Sequence, residues 1–141
     1  MPQKKEDIIS HEEKEQLSYF SKKIWNFFAD NVDSRTNYLP PDNIQSAPTD
    51  AVAYRTSPTN IGFYLLSCLA AVDFGFIEIA EAKRRLENSI SVIEKLEKWN
   101  GHLYNWYDLK KLDILGNKFV STVDSGNFVT MLVSLKGQYR T

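Results

Sequence analysis

The chain has 141 residues, and its 43 % hydrophobic and 13 % aromatic content suits one globular domain with a sizeable core. Its formal net charge of -1 removes the broad electrostatic argument for nucleic acid or an anionic membrane surface as a partner. The longest uncharged apolar run, 61–72, is too short to span a bilayer, and the N-terminus lacks the apolar core of a secretory signal. We therefore expect a soluble, cytoplasmic chain.

The first predicted element is an amphipathic helix. Ser10 and Glu13 have the spacing of a capping box, which marks a helix start. Lysines and glutamates occupy one side of the helix. Apolar side chains recur at helical spacing on the other, at Leu17, Phe20, Ile24, Phe27 and Phe28. We expect one packed face and one wet face.

The second helix is predicted to begin at Ser57, with Pro58 at its first position, and to stop at Gly75. It reads IGFYLLSCLAAV, apolar on every face, so it should be covered on all sides. Cys68, the single cysteine, cannot form an internal disulfide. A buried, inert thiol is expected there.

The third helix is predicted from Glu78 to Trp99 and is again amphipathic. Its polar face carries the i,i+4 pairs Glu81/Arg85 and Glu94/Lys98. The short turn DFGFI should join it to the second helix as an antiparallel hairpin.

The fourth helix is predicted to start near Asp124 and reads FVTMLVSL, apolar nearly all round. The stretches TSPTNIGFYLLS and VDSGNFVTMLVS align without gaps and match Asn60 to Asn127. The amphipathic first and third helices would thus form an outer layer, and the apolar second and fourth helices an inner layer. This arrangement predicts an all-α fold class, with helical hairpins that form part of an α/α toroid.

Two long connections, 33–56 and 100–123, each join an outer helix to an inner one. If the inner helices run in the same direction, as stacked hairpins require, their N-termini and both connections share one rim. Disordered segments are poor in aromatic residues, and the second connection holds Tyr104, Trp106 and Tyr107. The sequence therefore predicts long ordered loops around one depression.

The residue types at this rim suit a neutral, hydroxyl-rich ligand. Aromatic rings offer flat apolar faces, while Asn105 and Asp108 add short donors and acceptors. Rings that simply cover the end of the helices are the open alternative. Ser57 and Asp124 are predicted helix caps, and an asparagine follows each by three residues, in a role either structural or binding.

Catalytic and metal-binding signals are weak. The rim carboxylates, Asp42, Asp108, Asp113 and Asp124, cannot be assembled from sequence into the pair that glycoside hydrolysis needs. His11 and His102 have no metal-ligand spacing, and there is no phosphate-binding glycine loop. We expect neither a cofactor nor a metal.

A close resemblance to bacterial cyclic β-1,2-glucan synthases is carried by four stretches. They are LPPDNIQ, AYRTSPTNIGFYLLSCLAAVDFGFI, RLENSISVIEKLEKWNGHLYNWYDLKKLDIL and FVSTVDSGNF. The resemblance covers residues 36–135, and the leading outer helix in 1–35 fits more loosely. We treat 1–141 as a single helical domain.

The resemblance implies a segment near the start of the glucoamylase-like α/α toroid, which is implicated in closing the linear glucan into a ring by transglycosylation. The parent synthases are associated with the inner membrane and use UDP-glucose in a different domain. Their catalytic carboxylates lie further downstream, so none is carried over. The glucan-facing residues that the resemblance implies are Arg55, Asn60, Tyr104, Asn105, Trp106, Tyr107, Asp108, Asp124 and Asn127.

Three functions stay open at this stage. The first is a synthase fragment that lines part of a β-1,2-glucan cleft, needs the remainder of the parent polypeptide and is inactive alone. The second is a non-catalytic helical module whose apolar flank binds a partner protein or a second copy. A complete small hydrolase is the least supported, because no catalytic constellation can be defended.

Overall fold

The structure is a computed structural model that describes residues 9–138. Four α-helices form its body: α1 (His11–Asn31), α2 (Pro58–Asp73), α3 (Ile79–Lys95) and α4 (Thr122–Gln138). Seven short strands lie in the connections: β1 (Ile44–Gln45), β2 (Ala51–Val52), β3 (Arg55–Thr56), β4 (Lys98–Trp99), β5 (His102–Leu103), β6 (Asn105–Asp108) and β7 (Ile114–Phe119). None of the helices in this part of the chain is long and apolar enough to cross a membrane.

The predicted starts of α1 and α2 are confirmed. Ser10 Oγ accepts a hydrogen bond from Glu13 N at 3.2 Å, and Glu13 Oε2 accepts one from Ser10 N at 2.8 Å, which completes the capping box. Ser57 caps α2, with Pro58 as the first helical residue. Gly75 follows the end of α2 with φ +71°, in the left-handed region that glycine adopts without steric cost.

An all-α description is wrong for the connections, which hold three small antiparallel sheets. β1 pairs with β2, β4 pairs with β5, and β3, β6 and β7 form a three-stranded sheet in that order. In the last of these, Arg55 lies opposite Asp108 and Thr56 opposite Tyr107. The helical framework is as predicted, and the sheets give order to the two long loops between the helices.

The end of α3 differs from the prediction. The helix stops at Lys95, and Trp99 pairs with His102 across a tight hairpin. Asn100 and Gly101 turn the chain with φ of 47° and 83°, as expected of an Asn-Gly type I′ turn. The sequence signal was therefore present in WNGH, and the helical periodicity before it concealed it.

Helix α4 begins one turn earlier than expected. Ser121, not Asp124, caps it, because Ser121 Oγ accepts a hydrogen bond from Asp124 N at 3.1 Å. Asp124 lies in the first turn instead, where a negative charge is favourable to the helix dipole. The ungapped alignment of TSPTNIGFYLLS with VDSGNFVTMLVS thus matches Asn60 to Asn127 but does not match the two helix caps.

Helix α2 is the centre of the structure and packs against the other three helices, most extensively against α4. Tyr64, Leu65 and Cys68 are at most 1 % exposed, so the predicted burial of the cysteine is confirmed. The expectation that α2 is covered on all sides is wrong for the face of Phe63, which is 53 % exposed. Helix α4 is covered on one side only. Met131 and Leu135 face the core, whereas Val123, Val129, Leu132 and Val133 remain exposed.

The packed face of α1 was predicted wrongly. Leu17, Phe20 and Ile24 are 52 %, 59 % and 60 % exposed. The core instead receives Trp25, Phe28 and Val32, from a face rotated around the helix, and Phe27 is half-buried. Of the predicted stripe, only Phe28 is buried. Helix α1 therefore has two apolar faces, one packed and one open.

Helices α2 and α4 run in the same direction. Near their starts, Asn127 Nδ2 donates to Thr59 Oγ1 at 3.4 Å, and one turn further on Gly62 meets Met131. A Cβ atom at position 62 would lie 2.3 Å from Met131 Sδ and 3.3 Å from Met131 Cβ. Glycine at 62 is what allows the two helices to approach this closely.

Replacing Gly62 by alanine should lower the free energy of unfolding by about 1 kcal/mol, because an overpacking cost of about 2 kcal/mol outweighs a gain in helix propensity of about 1 kcal/mol. Gly126→Ala is the matched control, since a Cβ there meets nothing within 4 Å. It should stabilise the protein by up to about 1 kcal/mol. In a Met131→Ala background, Gly62→Ala should become stabilising too. Urea unfolding followed by circular dichroism measures all four variants, and equal gains at both glycines would contradict the close helix contact.

Candidate functional site

The starts of α2 and α4 lie side by side, and parts of both long loops gather around them. Segment 42–56 reaches this end through Asp42 and strand β3, and segment 104–108 reaches it through strand β6, which pairs with β3. We call this end of the molecule the rim. Its polar residues form two groups, one at each helix start.

The first group is a network around Asp42 at the start of α2. Asp42 Oδ1 accepts a hydrogen bond from Asn60 Nδ2 at 3.0 Å. Asp42 Oδ2 accepts from Arg55 Nη2 at 2.9 Å and Nε at 3.2 Å, and from Asn43 Nδ2 at 3.0 Å. Burial raises the pKa of the Asp42 carboxyl, but the Asn60 and Arg55 hydrogen bonds outweigh it, so the pKa is lowered.

Arg55 is also stacked on an aromatic ring. Its guanidinium carbon lies 4.7 Å from the centroid of the Trp106 ring, which is cation–π geometry. Side chains alternate along β6, so Trp106 and Asp108 face outward while Asn105 and Tyr107 face the core. The rim thus presents a half-buried indole beside a half-exposed arginine.

The two tyrosines of this loop are structural. Tyr107 is fully buried, and its hydroxyl accepts a hydrogen bond from Tyr104 N at 2.8 Å and donates to Glu97 O at 2.7 Å. Burial raises the pKa of Tyr107 to about 12. Tyr104 is 8 % exposed. Both rings are buried in this chain, and their contact with glucan stays a prediction.

Asp108 serves the turn between β6 and β7. Its Oδ1 accepts hydrogen bonds from Lys110 N at 2.9 Å and Lys111 N at 2.7 Å. This is the local side-chain-to-backbone pattern by which aspartate shapes a turn. Its carboxylate is therefore engaged with its own loop.

The second group lies at the start of α4. Asp124 is half-buried. Burial raises its pKa, but hydrogen-bonding groups of Ser121, Thr59 and Asn105 outweigh that effect and lower it. Asn105 is 3 % exposed and forms a cis peptide with Trp106. Asn127 is exposed and contacts Thr59 across the helix pair.

The structure therefore brings together Arg55, Asn60, Trp106, Asp124 and Asn127, with Asn105 behind them. It does not present Tyr104 or Tyr107. The sequence analysis placed Asp42 near the rim without a role, and it missed Thr59. No sequence spacing signals either residue, because their partners are brought to them by the loop and by the neighbouring helix.

A separate groove lies next to the rim, between the β4–β5 hairpin and α4. It encloses about 430 Å³ and is lined by Trp99, His102, Val120, Thr122, Ser125, Gly126 and Val129. Trp99 is 55 % exposed. The groove is almost entirely apolar, unlike the rim, and the prediction that put Trp99 at the end of α3 could not reveal it.

The pKa values of Asp42 and Asp124 are both lowered, so both carboxylates are ionised at neutral pH. A general acid for glycoside cleavage needs the opposite shift. Within residues 9–138, no three histidine, cysteine or acidic side chains are grouped to hold a metal ion.

Comparison with known proteins confirms the resemblance found in the sequence. The chain is 41 % identical over 133 residues to the cyclic beta-(1,2)-glucan synthase NdvB of Rhizobium meliloti (strain 1021). The match covers 94 % of this chain but only 5 % of that protein, so the chain corresponds to one short segment of it. No model of a known protein family matches the chain.

Solved structures share the fold. A protein from Bacteroides fragilis assigned as a glucoamylase matches with a TM-score of 0.70 and 18 % identity, over 85 % of this chain and 30 % of its own. A second such protein, from Bacteroides caccae, matches with a TM-score of 0.64 and 19 % identity over the same shares of the two chains. An endo-β-1,2-glucanase from Chitinophaga pinensis, solved with sophorotriose and glucose, matches with a TM-score of 0.66 and 15 % identity, over 84 % of this chain and 30 % of its own.

The Asp42 network should make the protein less stable in acid. Because the folded-state pKa of Asp42 is lowered, its ionised form contributes stability above the pKa of an unfolded aspartate, about 3.9, and loses it as the pH falls through the folded-state value. Asp42→Asn should lower the free energy of unfolding at pH 7 by about 1.5–3 kcal/mol, the range for hydrogen bonds to charged groups. It should also shrink the difference between pH 7 and pH 3.

Urea denaturation at the two pH values measures this, with exposed Asp50→Asn as the control for a surface charge change. An Asp42→Asn variant whose stability at pH 7 equals that of the parent chain would contradict the network.

Proposed function

We propose that this chain, as a relative of one segment of a cyclic β-1,2-glucan synthase, forms part of an α/α toroid and contributes a section of its β-1,2-glucan-binding cleft. The remainder of a parent polypeptide would complete the toroid, and the cleft would serve the closing of the glucan by transglycosylation. Two comparisons support the ligand class. The relative is a β-(1,2)-glucan synthase, and one structural neighbour is an endo-β-1,2-glucanase solved with sophorotriose.

The observation that carries the proposal is the convergence of both loops on the parallel starts of α2 and α4. That arrangement places Arg55, Trp106 and Asn60 beside Asp124 and Asn127 at one open end. A cleft that binds an extended oligosaccharide needs apolar surface for the C–H faces of the sugar and directional polar groups for its hydroxyls. The rim offers both kinds of group.

Each rim residue has a proposed part in binding. The exposed portion of the Trp106 indole would take the apolar face of a glucose ring. Arg55 would donate to ring hydroxyls from beside the indole. Asn60 and Asn127 each offer an amide that can donate and accept. Asn105, which is buried, would support Trp106 and Asp124 without touching the sugar.

We propose further that the chain alone does not turn over glucan. Asp42 is committed to Arg55 and Asn60, and Asp108 to the backbone of its own turn. In both arrangements the carboxylate oxygens already accept hydrogen bonds from neighbouring groups. A carboxylate pair with one protonated member, as inverting and retaining glycosidases use, has no support in the rim.

A second function has specific support in the exposed apolar faces. Val129, Leu132 and Val133 of α4 are between 39 % and 65 % exposed, next to the groove that holds Trp99. Helix α1 adds its open face of Leu17, Phe20 and Ile24. Apolar patches of this kind mark protein interfaces, so a docking module for a partner protein or a second copy is the alternative.

Sophorotriose should shift the Trp106 indole N–H resonance of the chain in an NMR titration, and Trp106→Ala should weaken binding at least about tenfold through the loss of stacking. Trp99→Ala is the matched control, since it removes an exposed tryptophan outside the rim. The same samples should release no glucose. The assignment of the site would be contradicted if sophorotriose shifted no rim resonance, or if only Trp99→Ala lowered the affinity for sophorotriose.

If the α4 flank mediates self-association, Val133→Glu should dissociate the assembly, because it places a charge within the patch. Sedimentation velocity measures the change, and Phe20→Glu tests the α1 face in the same way. A chain that is monomeric at all accessible concentrations would exclude the second-copy form of the alternative.

A further inference from the structure

Arg55 and Asp42 form an ion pair at the rim, with Arg55 Nη2 2.9 Å from Asp42 Oδ2. We infer that Asp42 is a specificity-determining residue: it neutralises Arg55 and directs the remaining guanidinium N–H groups toward neutral, hydroxylated ligands rather than anions. This inference rests on the proposed glucan-binding role of the same rim and assigns a part in it to a residue that does not itself need to touch the sugar.

Asp42 is held firmly enough to fix its partner. Its side chain is 17 % exposed, against 48 % for Arg55, and it receives four hydrogen bonds in all. One of them comes from Asn60, in the first turn of α2, so the carboxylate is anchored to the most buried helix of the protein. Arg55 is therefore positioned from two sides, by Asp42 and by the Trp106 ring.

The guanidinium keeps free donors in this arrangement. An arginine carries five N–H groups, and the contacts with Asp42 use one on Nε and one on Nη2. Three N–H groups remain on a half-exposed side chain beside an indole. Donors next to an apolar ring suit a sugar, whose hydroxyl oxygens can accept while its C–H face covers the ring.

An unpaired arginine at this position would favour a different ligand class. Guanidinium groups bind phosphate, sulfate and carboxylate with two parallel hydrogen bonds and full charge complementarity. Here Asp42 already occupies the Nε and Nη2 edge of Arg55, and a second anion would meet its negative charge. Asp124 adds another ionised carboxylate to the rim. The local charges thus disfavour anionic ligands although an arginine is exposed.

The test uses two probes, sophorotriose and inorganic sulfate, on the complete chain. NMR follows the Arg55 Nε–H and the Trp106 indole N–H. In the parent chain, sophorotriose should shift both signals and sulfate should shift neither. In Asp42→Asn, sulfate affinity at Arg55 should rise about tenfold or more, and sophorotriose affinity should fall about fivefold as Arg55 loses its fixed position.

Two further variants make the result specific. Asp33→Asn is the matched control, because it breaks an equivalent aspartate–arginine pair, Asp33 with Arg35, outside the rim. It should leave the Arg55 and Trp106 signals unchanged. Asp42→Glu keeps the negative charge and should therefore keep sulfate from binding Arg55. Asp42→Ser removes the charge with a smaller side chain, and it replaces Asp42→Asn if that variant does not fold.

The inference is overturned if sulfate binds Arg55 equally in the parent chain and in the charge-removing variants. It is also overturned if Asp33→Asn produces the same change. If sophorotriose fails to bind the parent chain, the proposed function fails. The sulfate titrations still decide in that case whether Asp42 excludes anions from Arg55.

Discussion

The close, parallel packing of α2 against α4 is the contact on which the rest of the structure depends. Gly62 lets Met131 approach, and the same register brings Thr59 to Asn127 at the helix starts. Any other relative direction of the two helices would carry the two long loops to opposite ends of the molecule. Because the helices are parallel, the loops meet, and Thr59 and Asn127, 68 positions apart in sequence, become neighbours.

The loops then give the rim its chemical character through strand pairing. β3 and β6 hold Arg55 opposite Asp108, and alternation along β6 turns Trp106 outward and Tyr107 inward. Asp42 fixes Arg55 from the other side. A helical framework therefore supplies the position of the rim, and a small sheet decides which of its side chains face outward.

The parts that were predictable from sequence depend on local chemistry. The caps of α1 and α2 and the burial of Cys68 follow from neighbouring residues. The shared direction of α2 and α4 follows from the stacking of helical hairpins. The errors have a common physical cause. Leu17, Phe20 and Ile24 form a clean helical stripe, yet which apolar face of α1 is packed depends on the position of α2, which periodicity does not encode.

The rim, like the helices, was predictable only in part. Aromatic and polar residues in an ordered loop indicated a ligand surface, and the structure brings most of the predicted residues together. Composition could not separate Trp106 from Tyr107, because the direction of a side chain depends on the register of β6 with β3. The role of Asp42 was hidden for the same reason, since its partners Arg55 and Asn60 reach it only through the folded loop.

The buried hydroxyl of Tyr107 has one more consequence. By joining Tyr104 N to Glu97 O, it fastens the aromatic loop to the segment just after α3. The backbone on either side of Trp106 is thus tied down within the folded chain itself. Under the proposed glucan-binding role, ordering this loop would be a cost of folding and not of ligand binding, which favours affinity from a small number of contacts.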